Sequence, residues 1–128
     1  MVKKVLFITS NQGVEHDELT EPLNFLKSKG FEVIHAAEKN EDVATVKGDT
    51  KAATQYTPDT SFDHVDLNDY DLLVIPGGTV NADTLRINQD AQKIIQHFAD
   101  NHKPIAAICH GPWALIDADR IKDKNLTS

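Results

Sequence analysis

The sequence predicts an α/β fold, a mostly parallel central sheet covered by helices on both faces. Two observations lead there. The runs Val5-Leu6-Phe7-Ile8, Asp71-Leu72-Leu73-Val74-Ile75 and Pro104-Ile105-Ala106-Ala107-Ile108 are short and nearly continuous in apolar residues, as strands buried on both faces are. Between them lie stretches whose apolar residues recur at helical spacing. Strands alternating with helices at these distances call for parallel pairing with right-handed crossovers.

Taken in order, Val5-Leu6-Phe7-Ile8 is the first strand, followed by a polar turn over residues 10–17. Leu19, Leu23 and Leu26 then share one face of a helix that Gly30 is placed to end. Pro22 fits that helix only if it lies in the first turn, where backbone N–H groups have no helical partner. Phe31-Glu32-Val33-Ile34 resumes strand character, giving a β-α-β opening. Residues 38–69 are polar and punctuated by Gly48 and Pro58, with Ala44-Thr45-Val46 as a candidate strand in a small excursion. The strand ending at Ile75 is stopped by Pro76-Gly77-Gly78. A short polar turn leads to a helix with Ala91, Ile94, Ile95 and Phe98 at i, i+3, i+4 and i+7. Pro104 opens the last strand, a position that proline tolerates. Cys109-His110-Gly111-Pro112 turns into a final helix beginning at Trp113.

A chain of 128 residues fits one domain, residues 1–128, with a single core. Its formal net charge of -7 repels phosphate backbones, and no Lys/Arg cluster with interleaved aromatics overrides this, so nucleic acid is not an expected partner. The lone cysteine excludes an intrachain disulfide and a cysteine-based zinc cage. No metal or cofactor is expected. Basic Lys3 and Lys4 precede an apolar run, but the run ends at Ile8, too short for a signal-peptide core or a membrane span. The expectation is a cytoplasmic protein with no membrane partner.

Chemistry gathers at the carboxyl ends of the strands, where open α/β sheets bind ligands. Three features converge there: the acidic run Glu15-His16-Asp17-Glu18, the Gly77-Gly78 turn, and Cys109. Cys109 lies between a strand and a helix, with small Ala106, Ala107 and Gly111 around it, which is the logic of a nucleophile elbow without the G-x-S-x-G spelling. A thiol at a helix N-terminus has a lowered pKa. An isolated cysteine is just as often a buried structural residue; His110 and the double glycine tip the balance. Gly77-Gly78 also reads as a mere sharp turn, yet its N–H groups, with that of His110, can bind a developing oxyanion. His110 becomes a candidate base once something orients it. The acidic run is most often a solvated helix start, and metal binding by it lacks a second ligand cluster. Glu15, Gly77 and Trp113 are candidate substrate contacts, although from the residues alone Trp113 reads as core.

The run Ala106-Ala107-Ile108-Cys109-His110-Gly111-Pro112-Trp113, preceded by Leu73-Val74-Ile75-Pro76-Gly77-Gly78, resembles the ThiJ/PfpI superfamily. It is most similar to the PfpI-like branch, whose members are called intracellular proteases, general stress proteins and protein deglycases. Val5-Leu6-Phe7-Ile8-Thr9 and Glu15-His16-Asp17-Glu18-Leu19-Thr20-Glu21-Pro22 match its first strand and helix. The resemblance implies a flavodoxin-like three-layer sandwich, a nucleophilic Cys109, and Glu18 as the carboxyl that hydrogen-bonds its sulfur. It implies an oxyanion site from the backbone of Gly78 and His110. It also implies a homo-oligomer, a dimer or larger, in which Asp83 reaches the histidine of a neighbouring subunit; Asp83 has no evident partner within its own turn. A carboxylate and a thiolate in contact should share one proton, so Glu18 and Cys109 would titrate as a pair. Family members continue with a further strand and helix past a segment like Leu126-Thr127-Ser128, where this sequence stops, as expected of a naturally short form, a fragment or a chain cut at a break.

The expected function is a cysteine-dependent stress-response hydrolase or lyase. Its Cys109 thiolate attacks small reactive carbonyls or their protein adducts, or else peptides. The alternative is a redox-sensing stress protein or holdase in which Cys109 is oxidised without turnover. A glutamine amidotransferase subunit is weaker, because Ala107 fills a glycine position and no late His-Glu pair exists.

Overall fold

The computed structural model describes residues 3–48 and 51–108. Cys109, His110, Gly111, Pro112 and Trp113 lie outside the described residues. Five strands form a parallel sheet: β1 (Lys4–Thr9), β3 (Glu32–Ala37), β6 (Thr60–Ser61), β7 (Leu72–Ile75) and β8 (Ile105–Ala107), in the order β6-β3-β1-β7-β8. A second sheet joins β2 (Gln12–Glu15), β4 (Val43–Lys47) and β5 (Lys51–Tyr56), with β2 parallel to β4 and β4 antiparallel to β5. The α-helices among the described residues are α1 (His16–Ser28), α2 (Thr79–Ile87) and α3 (Gln89–Asp100).

The period-2 alternation of strand side chains splits the core into two layers. Leu6 and Ile8 of β1, with Leu73 and Ile75 of β7, face Leu85 of α2 and Ile94, Ile95 and Phe98 of α3. Val5 and Phe7, with Val74, face Leu19 and Leu23 of α1, Val14 of β2 and Val43 of β4. The central strand β1 is therefore buried on both sides from Val5 to its end, which is why it reads as an unbroken apolar run. Among the described residues β8 is the outermost strand on that side and is only half-covered: Ile105 and Ala107 pack on the core while Ala106 is exposed.

Gly30 ends α1 with φ +90°; its N–H donates to the Lys27 carbonyl at 3.1 Å and that of Phe31 to Leu26 at 3.2 Å, the two bonds of a Schellman cap. Three expectations need correction. The helix starts at His16, so Pro22 lies in its second turn rather than its first. There it gives no hydrogen bond to the Glu18 carbonyl; burial of Leu19 and Leu23 holds the helix across that break. The polar turn over residues 10–17 contains strand β2, whose short QGVE segment buries one side chain, Val14, and so shows no alternation to read. The polar turn after Gly78 is the helix α2. Its inward residues are Asn81, Ala82 and Leu85, and an asparagine on the buried face hides the apolar stripe. Asn88 then caps α3, its side chain accepting from Ala91 N–H at 2.8 Å.

Candidate active site at the carboxyl ends of β1, β7 and β8

From β1 the chain moves to β3 on one side, then returns to β7 on the other. The connections therefore diverge at the β1–β7 seam, where such sheets leave a crevice at their carboxyl ends. The loops after β1 and β7 meet across that seam. The Glu15 N–H donates to the Gly77 carbonyl at 3.2 Å. Gly78 caps α2 with φ +100°, and a Cβ built on it would sit 2.1 Å from Gly13 O and 2.8 Å from Glu15 N. Gly13 is equally constrained: at φ +75°, a Cβ there would lie 2.4 Å from the Val80 Cβ. Glycine at position 78 is thus required by packing as well as by backbone conformation. The third loop arrives beside it, because Ile108 N–H donates to Ile75 O at 3.0 Å, one residue before Cys109.

Asn81, buried completely in the first turn of α2, ties the two loops together. Its Oδ1 accepts from Ser10 N–H at 2.7 Å and lies 2.9 Å from Ser10 Oγ. Its Nδ2 donates to the carbonyls of Pro76 at 3.1 Å and Gly77 at 3.3 Å. The amide orientation is dictated by its surroundings, since a backbone N–H must face the oxygen and carbonyls the nitrogen. Each buried group orphaned by loss of this side chain would cost about 1–3 kcal/mol. The sequence reading missed Asn81, Gly13 and Ser10. A polar residue three positions after the double glycine is the only signal for Asn81, and it looks like an ordinary turn asparagine.

Of the residues singled out from sequence, Glu18 lies in the first turn of α1 with its Oε1 shielded from solvent. Glu15 precedes the helix; its Oε2 accepts from Gly48 N–H at 3.1 Å, which aims the carboxylate at the β4–β5 turn. His16 Nδ1 and Asp17 Oδ1 are 2.9 Å apart, and that bond, aided by Lys47, holds the exposed Asp17 carboxyl below its usual range. Gly77 and Gly78 are both buried in the seam. Asp83 is exposed on the outer side of α2, where its Oδ1 lies 3.7 Å from Arg86 Nη1. The expectation that it has no partner in its own turn is therefore wrong: i and i+3 are neighbours on a helix. Such a surface pair is weak, about 0–1 kcal/mol, and can be exchanged for another. The structure brings Gly77, Gly78, the Glu15 backbone and the chain leading into Cys109 to one seam. It leaves Asp83 outside, on the surface.

A family model described as the DJ-1/PfpI family matches residues 3–128. Deglycase PfpI of Pyrococcus furiosus is 36% identical over 125 residues, covering 98% of this chain and 71% of that protein. Protein/nucleic acid deglycase 2 of Escherichia coli is 37% identical over 128 residues, covering 100% of this chain and 72% of the relative. Among solved structures, the fold is similar to that of Drosophila melanogaster DJ-1beta with a TM-score of 0.83 at 26% identity, over 93% of this chain and 61% of that one.

Proposed function

The chain belongs to the DJ-1/PfpI family, and from that premise we propose that it is a cysteine-dependent enzyme acting on small reactive carbonyls or their protein adducts, with Cys109 as nucleophile. The names of both relatives support an enzyme, and both are called deglycases. The observation that carries the reading is the Gly77–Gly78 turn, pinned at the β1–β7 crevice beside the strand that runs into Cys109. The deglycase names favour a small electrophile over a polypeptide. Peptide hydrolysis would use the same residues on an amide.

In this reading the Cys109 thiolate adds to an aldehyde carbon, forming a C–S bond while the carbonyl oxygen becomes an alkoxide. The N–H groups of Gly78 and His110 donate to that oxygen. Glu18, with one oxygen already withdrawn from water, carries the proton that it and the sulfur cannot both do without. The His110 side chain moves protons to and from the adduct. Trp113 and Glu15 border the substrate. We further propose a homo-oligomer in which Asp83 exchanges Arg86 for His110 of a second copy. Val80 and Ile87, 50% and 80% exposed on the same helix, give that face apolar area to bury.

Turnover of methylglyoxal compared with a peptide panel tests the proposal, with Cys109→Ser as control. Methylglyoxal is expected to be consumed by the protein and not by the variant. If neither substrate is turned over, while mild peroxide adds two oxygens to Cys109 in the intact mass, the redox sensor replaces the enzyme.

A further inference from the structure

Resting on the reading of Gly78 as an oxyanion donor, we propose that Asn81 is a positioning residue that aims the Gly78 N–H. The argument is one of peptide geometry. The Gly77 carbonyl and the Gly78 N–H belong to one planar trans unit and point in opposite directions, so fixing one fixes the other. Two donors hold the carbonyl, Glu15 N–H at 3.2 Å and Asn81 Nδ2 at 3.3 Å. Asn81 also holds the preceding carbonyl, that of Pro76, at 3.1 Å, so consecutive peptides of the turn are anchored by one side chain. Its other end is fixed to Ser10, in the loop after the central strand β1. Positive φ at Gly78 leaves that residue soft in rotation, since glycine has no Cβ to confine it. Asn81, together with the Glu15 N–H, supplies that confinement. Fully buried and bonded at both ends, it has the fixed reference that an aimed donor needs.

The test uses Asn81→Asp, and Asn81→Ser as a smaller polar variant that guards against loss of folding in the first. The aspartate keeps an oxygen for Ser10 and replaces both donations to the turn by repulsion. With methylglyoxal, kcat is expected to fall about 10²-fold in each variant while KM stays within a few-fold, because an oxyanion donor acts in the transition state. Alkylation of Cys109 by iodoacetamide, which builds no charge on a carbonyl oxygen, should keep its wild-type rate. Ile94→Val, a core change in α3, serves as the destabilised control and should keep kcat. Wild-type kcat in a folded Asn81 variant would overturn the proposal, as would a loss of kcat matched by the alkylation rate. If the wild type itself consumes no methylglyoxal, the enzymatic reading fails separately. The Gly78 amide resonance in a 1H–15N spectrum then decides: a shift in Asn81→Asp far beyond that in Ile94→Val supports positioning, and an unmoved resonance overturns it.

Discussion

Gly78→Ala is expected to destabilise the protein by about 2–6 kcal/mol. At φ +100° and ψ 126°, outside the left-handed helical well, an L-residue carries roughly 1–3 kcal/mol of backbone strain. The new Cβ would lie 2.1 Å from Gly13 O and 2.8 Å from Glu15 N, both backbone atoms with no rotamer to yield. Overpacking of this kind adds about 1–3 kcal/mol. Gly30→Ala separates the two contributions, because Gly30 has φ +90° but nothing within 4 Å of its would-be Cβ. That variant should cost only the strain. Thermal unfolding followed by circular dichroism reads both. For a chain of this size, each kcal/mol moves Tm by roughly 4 °C, so Gly78→Ala should melt about 8–24 °C lower and Gly30→Ala about 4–8 °C lower. Equal losses in the two variants would refute the account of the seam as a close backbone contact.

Other outcomes follow from the same geometry. Buried His35 lies 2.7 Å from Thr9 Oγ1, and burial pushes its pKa down from 6.5 to about 4, against an opposing pull from Asp59. The unfolded chain therefore binds the proton first. Stability should fall as pH drops from 6.5 toward about 4, by about 3 kcal/mol at 1.36 kcal/mol per unit, and His35→Gln should flatten the urea-midpoint profile in that window. Replacing Gly78 by valine should remove turnover along with stability, whereas Gly30→Ala should spare kcat at a temperature where it is folded. His110→Ala should lower kcat by about 10²–10⁴-fold, less than Cys109→Ser. Light scattering should show an oligomer that Ile87→Asp weakens; a wild-type monomer would remove Asp83 from the site.

Legibility in the sequence tracked how a residue earns its burial. Val5, Leu73 and Ile94 are buried for being apolar, and their periodicity announces it. The helix end at Gly30 was readable because positive φ and glycine go together. The helix α2 and strand β2 were hidden because their inward faces hold polar or small residues, Asn81 and Ala82 in one and Val14 alone in the other. Asn81 is buried because four hydrogen-bonding groups from two distant loops converge on it, and no local pattern encodes a partner 71 residues away. The glycines of the turn were visible, but their reason was not: the Gly13 backbone that excludes a side chain at Gly78 is 65 positions earlier. Asp83 was singled out by the family resemblance as reaching a neighbouring subunit, and its pairing with Arg86 one turn along α2 was hidden because the sequence pattern did not show that helix.

The most direct measurement of the central claim is the rate of Cys109 alkylation by iodoacetamide against pH, with Glu18→Gln alongside. The account predicts substantial reactivity at neutral pH, an apparent pKa well below the free-thiol value of about 8.5, and a displaced profile in the Glu18 variant. A rate that rises only with an apparent pKa near 8.5, unchanged by Glu18→Gln, would contradict an activated nucleophile at this seam.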